Sequence, residues 1–409
     1  MATSSAPRVL LIHITGRDRV GVTHSLTEIL ARTQARVLDI GQAVIHDALA
    51  LGILVELTGE MMASSLLSDL LLEAHDLGVQ IHFSRISESE YQAWVESQSK
   101  RRFLITVLGR SITAVHLAAV SGIIARVGLN IDRIDRLSAR ASLEPVPGPA
   151  RMCVELAASG ENAGEDELRA ELLRLTEEHE IDIAFQHDNV YRRTRRLVAF
   201  DMDSTLIQTE VIDELARLAG VGEQVQQITA SAMRGELDFQ ASFRRRVSLL
   251  KGLPEAALWR VRDHVPLMDG AERLIATLRR LGYKTAILSG GFTFVGRELQ
   301  RRLGIDYLHA NELEIRDGAV TGEVTTEIVD GARKAALLQQ IACAEHLNLE
   351  QVIAVGDGAN DLPMLRIAGL GIAFHAKPIV RQSARQSIST MGLDGILYLL
   401  GVRDREAML

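Results

Sequence analysis

From residue 197 onward, apolar residues form short continuous runs, separated by stretches in which they recur every three or four positions. Four of these runs are LVAF, KTAILS, VIAVG and LGIAF, which begin at Leu197, Lys284, Val352 and Leu370. Continuous apolar runs are typical of parallel strands buried on both faces, and the stretches between them have helical spacing. The second half of the chain is therefore predicted to be an α/β domain with a doubly wound, Rossmann-like sheet.

The first half of the chain has a different pattern, which occurs twice. The stretch Leu10 to Val22 resembles Phe103 to Val115, and Ile29 to Ile40 resembles Ile123 to Ile134. In each copy, a strand ends at a glycine, a helix and two strands follow, and a second helix leads to a last short strand. The order βαββαβ predicts two α+β domains, each an antiparallel sheet with two helices on one face. The predicted domains span residues 8–86 and 102–186.

Three polar stretches are predicted to lie between the regular elements. Ser87 to Lys100 is predicted to be a loop that joins the two copies, and the Pro-rich stretch Ser142 to Ala150 a loop within the second copy. The basic run from Tyr191 to Arg196, YRRTRR, directly precedes the first strand of the α/β domain. We interpret this run as a solvated linker rather than as a nucleic-acid-binding patch.

Composition limits the possible functions. A chain of 409 residues is long enough for two or three domains, and its formal net charge of −8 argues against a nucleic-acid partner. The two cysteines, Cys153 and Cys343, are far apart, which excludes a disulfide scaffold or a zinc site. Because the sequence lacks a run of about 18 apolar residues, we expect a soluble, cytoplasmic protein with no membrane partner.

Polar residues follow the predicted parallel strands where each strand ends. Asp201 and Asp203 follow the first strand, SGG (Ser289 to Gly291) the second, and GDGANDLPM (Gly356 to Met364) a later one. Lys334 is predicted to lie in the first turn of a helix. Because ligands bind outside the carboxyl ends of the strands in such sheets, these side chains are expected to converge on one crevice.

The residue types in this crevice indicate phosphoryl chemistry. Four carboxylates with no histidine or cysteine among them favour Mg²⁺; they belong to Asp201, Asp203, Asp357 and Asp361. One carboxylate can attack phosphorus, and a second, two residues on, can transfer protons. Ser289, the backbone N–H groups that follow it from Gly290 onward, and Lys334 can bind the phosphoryl oxygens. Each motif alone is weak evidence. The combination is strong evidence, because the motifs occur in the right order at strand ends.

The four motifs resemble those of the haloacid dehalogenase superfamily of phosphatases; they are DMDSTL, SGGF, RKAALL and VGDGANDLPM. Within it, residues 197 to about 400 resemble the phosphoserine phosphatases, which implies a phosphatase domain over residues 197–405. The resemblance implies that Asp201 is the nucleophile and Asp203 the general acid and base. It also implies that Mg²⁺ is held by Asp201, the backbone carbonyl of Asp203 and Asp357. Asp361 and Asn360 would support the metal and phosphate sites.

An insert between the first two parallel strands, about residues 207–268, has helical spacing and predicts a small helical cap. A closing cap excludes water and limits substrate size. Glu210 can receive the ammonium group of phosphoserine, and an arginine can pair with its carboxylate. Spacing alone does not choose among Arg244, Arg245 and Arg246. The resemblance selects the substrate contacts Glu210, Met233, Phe239 and Arg246.

The stretch GRDRVGV, Gly16 to Val22, resembles the ligand loop of ACT domains, which are βαββαβ modules that bind amino acids. The resemblance makes Asp18 and Gly21 candidate contacts for an L-serine effector, and implies a homodimer because such domains pair side by side. The second copy reads GRSITAV and departs from this pattern, with Ser111 in place of the acid and Ala114 in place of the glycine. A packing or dimerisation module without a ligand is the alternative interpretation.

The leading hypothesis is Mg²⁺-dependent hydrolysis of O-phospho-L-serine to L-serine and phosphate through an aspartyl-phosphate, the last step of serine biosynthesis. One alternative is a phosphotransferase that passes the phosphoryl group to another hydroxyl. Others are a phosphatase for a different small phosphomonoester and a non-catalytic amino-acid sensor. The complete set of polar residues argues against a sensor; it comprises Asp201, Asp203, Ser289, Lys334 and Asp357.

Overall fold

The computed structural model describes residues 8–57, 60–97, 100–140, 150–161, 164–234 and 236–407. The side chains of residues 60–64 and of Met233 lie outside this description, as do residues 142–149 of the predicted Pro-rich loop. The chain divides into two compact units, residues 1–100 and 101–409, and each is described by itself. No helix in the described ranges is long and apolar enough to cross a membrane.

The first unit contains the predicted βαββαβ order. Its elements are β1 (Arg8–Arg17), α1 (Val22–Arg32), β2 (Arg36–Ile45), β3 (Ala48–Leu57), α2 (Glu60–Leu77), β4 (Val79–Ile86) and α3 (Glu88–Ser97). The antiparallel sheet has the order β2-β3-β1-β4. Alternate residues of β3 are buried, so one face of the sheet packs against the core and the other faces solvent.

Helix α3 corrects the prediction of a loop over Ser87 to Lys100. Ser87 and Glu90 form a capping box, in which the backbone N–H and the hydroxyl of Ser87 donate to Glu90 Oε2 at 2.8 and 2.6 Å. In return, the Glu90 N–H donates to Ser87 Oγ at 3.2 Å. The helix buries none of its side chains, so its sequence has no apolar stripe. The Ser-x-x-Glu spacing was the available signal for a helix start.

The second unit begins with a second βαββαβ domain. Its elements are β5 (Arg101–Gly109), α4 (Ala114–Arg126), β6 (Asn130–Arg136), β7 (Met152–Gly160), α5 (Glu165–Glu178) and β8 (Asp182–His187). The antiparallel sheet has the order β6-β7-β5-β8, which is the same topology as in the first copy. The predicted α+β fold class of both copies is confirmed.

The rest of the second unit is built around a six-stranded parallel sheet. The chain enters this sheet in the middle, runs to one edge and returns to build the other. The elements up to the second strand of the sheet are α6 (Val190–Arg193), β9 (Leu197–Phe200), α7 (Val211–Leu218), α8 (Gly222–Met233), α9 (Phe239–Ser248), α10 (Glu255–His264), α11 (Ala271–Arg280) and β10 (Lys284–Phe292).

The elements that follow are α12 (Thr293–Leu303), β11 (Tyr307–Asn311), β12 (Leu313–Arg316), β13 (Ala319–Val324), α13 (Gly331–Ala344), β14 (Val352–Gly356), α14 (Leu362–Ile367), β15 (Leu370–Phe374), α15 (Pro378–Ser383), β16 (Gln386–Ile388), α16 (Ile396–Leu399) and α17 (Asp404–Ala407). The order of the parallel sheet is β11-β10-β9-β14-β15-β16. In β9, Val198 and Phe200 join the core on one face of the sheet, whereas Leu197 and Ala199 join the core on the other. Burial on both faces is why these strands are continuous apolar runs, and it confirms the doubly wound α/β class.

The insert after β9 is helical, as predicted, and consists of α7 to α10. Its two connections to the sheet pair with each other: the Gln208 N–H donates to Pro266 O at 3.0 Å, and the Met268 N–H donates to Leu206 O at 2.9 Å. The hairpin β12–β13, which the sequence pattern missed, lies against α9 and forms hydrogen bonds with the turn that follows this helix. The Val320 N–H donates to Leu253 O at 2.9 Å, and Val320 O accepts from the Gly252 N–H at 2.8 Å.

The interpretation of Tyr191 to Arg196 as a solvated linker is wrong for two of its arginines. Arg192 and Arg195 are both nearly fully buried. Arg192 forms an ion pair with Glu155 on β7, and Arg195 Nη1 donates to Gln186 Oε1 on β8 at 2.9 Å. Burial raises the pKa of Glu155, and Arg192 opposes that increase. These arginines therefore join the second βαββαβ domain to the parallel sheet.

Candidate active site

The carboxyl ends of β9, β10 and β14 meet at one edge of the parallel sheet and open into a cavity of about 570 Å³. A cavity of this size suits a small ligand. Nine of the predicted site residues line it: Asp201, Asp203, Glu210, Phe239, Arg246, Ser289, Gly290, Asp357 and Asn360. Lys334 and Asp361 are fully buried beside Asp201. The side chain of Met233 lies outside the described part of the structure.

The turn after β9 positions the first pair of carboxylates. The Asp201 N–H donates to Val355 O on β14 at 2.9 Å, so Asp201 continues the sheet by one residue. Ser204 has a left-handed backbone with φ of 57°, which turns the chain sharply away from the strand. Asp203 points towards Gly291, where a Cβ atom would lie 2.7 Å from Asp203 Oδ2. A side chain at position 291 would therefore displace Asp203.

Lys334 lies between two carboxylates. Its Nζ is 2.9 Å from Asp201 Oδ1 and 2.7 Å from Asp361 Oδ1. Burial alone would lower the pKa of Lys334, but Asp201 and Asp361 outweigh burial and raise it. The lysine is therefore a fixed positive charge. Asp361 is held in turn by the Gly358 N–H, which donates to its Oδ2 at 2.9 Å.

The remaining acidic groups repel one another. Burial, and then Glu210 and Asp201, raise the pKa of Asp203 well above its ordinary value. Burial, Asp201 and Asp361 raise the pKa of Asp357 to about 8. Oxygen atoms of Asp201, Asp357 and Asp361 lie within 4.8 Å of one another. An all-oxygen set of this kind, with unbalanced negative charge, fits a hard divalent cation.

The helical cap contributes one group of each charge. Ser204 Oγ donates to Glu210 Oε1 at 3.0 Å, and burial followed by Asp201 raises the pKa of Glu210. Arg246 is half-buried on α9, whereas Arg244 and Arg245 are exposed. Arg246 Nε is buried and has no hydrogen-bond partner among the described residues. Of the three arginines, only Arg246 lines the cavity.

Comparison with known proteins identifies the family of the chain. Residues 198–366 match the haloacid dehalogenase-like hydrolases, and residues 8–84 and 102–186 each match an ACT domain. The chain is 43% identical over 405 residues to phosphoserine phosphatase of Streptomyces coelicolor, covering 99% of this chain and 94% of that protein. The chain belongs to the phosphoserine phosphatase family.

Two further relatives in this family are similar over most of their length. Phosphoserine phosphatase SerB2 of Mycobacterium tuberculosis is 42% identical over 398 residues, which cover 97% of this chain and 94% of that one. The unliganded crystal structure of a probable phosphoserine phosphatase from Vibrio cholerae is 34% identical with a TM-score of 0.56, and the match covers 76% of this chain and 90% of that one. The protein is therefore a haloacid dehalogenase-type hydrolase with two N-terminal ACT domains.

Several residues at the site were not predicted. Asn311 is buried at the end of β11; its Nδ2 donates to Gly290 O at 2.8 Å and its Oδ1 accepts from the Val329 N–H at 2.9 Å. It therefore braces the turn that follows β10. Lys377 and Ile379 line the cavity just after β15. Applying the strand-end argument to the run LGIAF would have found Lys377, whereas no sequence signal marked Asn311.

The predicted effector residues lie together in the open loop between β1 and α1. Asp18 is exposed, and its N–H donates to Asp47 O at 2.7 Å. Gly21 has a left-handed backbone with φ of 98°, and a Cβ atom there would meet no atom within 4 Å. The glycine is therefore explained by its backbone conformation, and close packing does not require it. In the second ACT domain, Thr113 directly precedes α4, and its N–H donates to His116 Nδ1 at 3.2 Å.

Proposed function

We propose that the protein hydrolyses O-phospho-L-serine to L-serine and phosphate, the last step of serine biosynthesis. The main support for this proposal is that acidic side chains and an arginine line the same cavity. Asp201 and Asp203 line it at the sheet edge, and the cap adds Glu210 and Arg246. Glu210 pairs with the ammonium group of the substrate, and Arg246 forms a bidentate pair with its carboxylate. Phe239 lies against Gly290 and limits the space around the substrate backbone.

Asp201 is the nucleophile in this proposal. Its Oδ1 accepts from the Met202 N–H at 2.7 Å and is paired with Lys334, so we assign the attack to Oδ2. The new bond joins Asp201 to phosphorus, and the bond between phosphorus and the serine oxygen breaks. Ser289, the N–H of Gly290 and Lys334 stabilise the phosphoryl oxygens, and Asn360 supports them from the β14 side.

Asp203 transfers the protons. Its raised pKa favours the protonated form, which can donate to the leaving serine oxygen. The resulting carboxylate then takes a proton from water as the water oxygen attacks phosphorus. The bond between phosphorus and Asp201 breaks, which releases phosphate and restores both aspartates. Asp203 Oδ1 is buried without a hydrogen-bond partner in the described chain, so it is available to a ligand.

We assign the metal site to Asp201, the backbone carbonyl of Asp203 and Asp357, with Asp361 in support. When bound, Mg²⁺ neutralises the negative charge that the phosphate and Asp201 share. Thr205 Oγ1 donates to Asp357 Oδ1 at 3.4 Å and orients that carboxylate. Lys334 is paired with Asp201 and Asp361. It favours the ionised form of Asp357, but burial and the charges of Asp201 and Asp361 outweigh its effect on the pKa of that carboxyl.

The direct test is phosphate release from a panel of small phosphomonoesters, with Mg²⁺ and with a chelator. Phosphoserine is expected to be the preferred substrate, and the chelator to abolish release. Adding hydroxyl acceptors separates hydrolysis from phosphotransfer, because transfer would give a new phosphoester in place of free phosphate. Preference for another phosphomonoester would refute the assignment of the substrate. Release from none of the panel would favour the non-catalytic sensor.

Mg²⁺ is expected to raise the melting temperature more at pH 8 than at pH 6. A carboxyl whose pKa is raised by folding stabilises the fold most below its ordinary value of about 4. That contribution is lost as the pH rises through about 8, the pKa of Asp357. The metal-free protein should therefore lose stability over this range, and a cation should restore it because it binds the ionised form. Melting curves at both pH values test this.

Asp357→Asn is the matched variant for this experiment, since it removes the titrating group and a proposed metal ligand together. It should reduce both the loss of stability between pH 6 and pH 8 and the effect of Mg²⁺. An equal effect of Mg²⁺ on the wild type at both pH values would contradict the link between the acidic cluster and the cation.

L-serine is expected to bind the loop that contains Asp18 and Gly21 and to change the rate of the phosphatase. Coupling between such sites is typically about 1–3 kcal/mol. Asp18→Ala should weaken this effect, whereas Asp76→Ala, which removes an exposed carboxylate elsewhere in the unit, should not. Calorimetry and serine titrations of activity test both variants. If L-serine changes the activity of the Asp18→Ala variant as much as that of the wild type, the effect must be assigned to direct competition at the active site.

We also propose that the first ACT domain pairs with a second copy to form a homodimer. Edge strand β2 exposes four apolar side chains: Val37, Ile40 and Val44 on one face of the sheet and Ile45 on the other. An exposed apolar edge strand favours pairing with another chain. Sedimentation of the wild type and of an Ile45→Lys variant tests the pairing.

A further inference from the structure

The second ACT domain holds one short segment of the phosphatase sheet. Asp182, at the start of β8, is fully buried and accepts three hydrogen bonds from residues just after β16. The donors are the Ser389 N–H at 2.8 Å, the Thr390 N–H at 2.8 Å and Thr390 Oγ1 at 2.6 Å. Both carboxylate oxygens of Asp182 are therefore committed to this segment.

Gln386, on β16 itself, adds a second connection to β8. Its Oε1 accepts from the Phe185 N–H at 2.8 Å, and its Nε2 donates to Phe185 O. The side-chain amide thus pairs with the backbone of β8 as a neighbouring strand would. Strands β8 and β16 are each at the edge of their own sheet, so the contact joins two sheet edges.

Two residues of α5 extend the connection along the chain. Arg169 Nη1 donates to Arg385 O at 2.8 Å, and Glu177 Oε1 lies 3.5 Å from Arg381 Nη2. Residues 381–390 therefore contact the second ACT domain at both ends and in the middle. By contrast, β16 pairs with its own sheet over only three residues, Gln386 to Ile388.

The residues that directly precede this segment form a wall of the cavity. Helix α15 connects β15 to β16, and the cavity is lined there by Lys377, Ile379 and Val380. Arg381, the first residue held by the ACT domain, directly follows Val380. Lys377 is exposed. Its positive charge lies at this wall of the cavity, where it attracts an anionic phosphomonoester.

We propose that Asp182 is a positioning residue of the phosphatase, which sets the place of the cavity wall at residues 377–380 by holding residues 386–390. The proposal rests on the phosphatase function stated above. In this proposal, the second ACT domain has a structural role that does not require an effector. This role is consistent with its loop, GRSITAV, which departs from the pattern of the first copy. In this arrangement, the ACT domain acts on substrate binding and leaves the reacting carboxylates in place.

The first test is hydrogen exchange of the full-length protein without substrate, read on peptides covering residues 376–390. The variants are Asp182→Asn, which turns an amide donor towards the donors of Thr390, and the milder Thr390→Val, which removes one hydroxyl. The control is Asp132→Asn, on the opposite edge strand of the same ACT sheet. Faster exchange over residues 376–390 in the first two variants, and not in the control, is expected. Unchanged exchange in both would overturn the proposal.

The second test is kinetic and uses whichever phosphomonoester the wild type hydrolyses, so it does not depend on phosphoserine being the substrate. Thr390→Val is expected to raise KM roughly three- to tenfold, the range for one lost buried hydrogen bond, with kcat within about twofold. In the Lys377→Ala background, the same change should raise KM much less, because both variants act on one wall. A fall in melting temperature with unchanged KM, or a full additional increase in KM in the Lys377→Ala background, would overturn the proposal.

Discussion

Asp201→Asn is expected to abolish turnover while the protein remains folded. Losing a catalytic nucleophile typically costs at least about 10⁴-fold in kcat. The neutral amide of asparagine cannot form an acyl-phosphate by attack on phosphorus. Asp357 and Asp361 belong to a different strand end, and Asp361 is committed to Lys334. The measurement is phosphate release at saturating substrate and Mg²⁺, with residual activity checked against deamidation by mass spectrometry. Full turnover would refute the covalent mechanism.

The same variant should be at least as stable as the wild type when the metal is chelated. Asp201 contributes to the raised pKa values of Asp203, Asp357 and Asp361, which means that its charge destabilises the ionised cluster. Lys334 keeps its bond to Asp361 at 2.7 Å, so it is not left unpaired by the change. An inactive variant with a higher melting temperature in chelator would indicate an active site that sacrifices stability for function. A lower melting temperature would show that Asp201 is mainly a structural partner of Lys334.

Asp203→Asn is the companion variant that separates the two halves of the reaction. It retains the nucleophile but lacks the group that takes a proton from water. Rapid-quench trapping with an activated aryl phosphate should therefore detect a phosphoenzyme that breaks down slowly. Asp201→Asn should form none under the same conditions, which makes the two variants controls for each other.

Sequence was most informative where local chemistry and topology coincide. The runs LVAF, KTAILS, VIAVG and LGIAF are strands because burial on both faces requires continuous apolar residues. Since parallel strands bring their carboxyl ends to one edge, the positions of Asp201, Ser289 and Asp357 at strand ends were sufficient to predict a common cavity.

Contacts between residues that are far apart in the chain could not be predicted from the sequence. Arg192 and Arg195 belong to a strongly basic run, and their burial depends on partners on β7 and β8 that are distant in the sequence. Strand β16 has three residues and depends on β8 and β15 for its place, so its own apolar pattern was too short to identify it. Asn311 supports Gly290 from 21 residues away by a single side chain.

The pattern of the sequence also did not distinguish Arg246 from the adjacent Arg244 and Arg245. Replacing Arg246 is expected to have the second large effect on activity. Arg246→Ala is expected to lower kcat/KM for phosphoserine by roughly 30-fold to several thousand-fold. Removing one partner of a buried charged pair costs about 2–5 kcal/mol, and 1.36 kcal/mol corresponds to tenfold. Activity on a simple aryl phosphate, which has no carboxylate, should fall much less. The measurement is the ratio of kcat/KM for the two substrates.

Arg244→Ala and Arg245→Ala are matched controls, because they remove the same charge from the same helix at exposed positions. Both should leave the substrate ratio unchanged. Arg246 also lies near Glu210, Asp213 and Asp203, whose charges oppose the effect of burial on the pKa of its guanidinium. Removing it could therefore disturb the cap as well as the substrate contact. The aryl phosphate separates these effects: equal losses on both substrates would assign Arg246 to cap structure or to the phosphate, whereas a selective loss on phosphoserine assigns it to the substrate carboxylate.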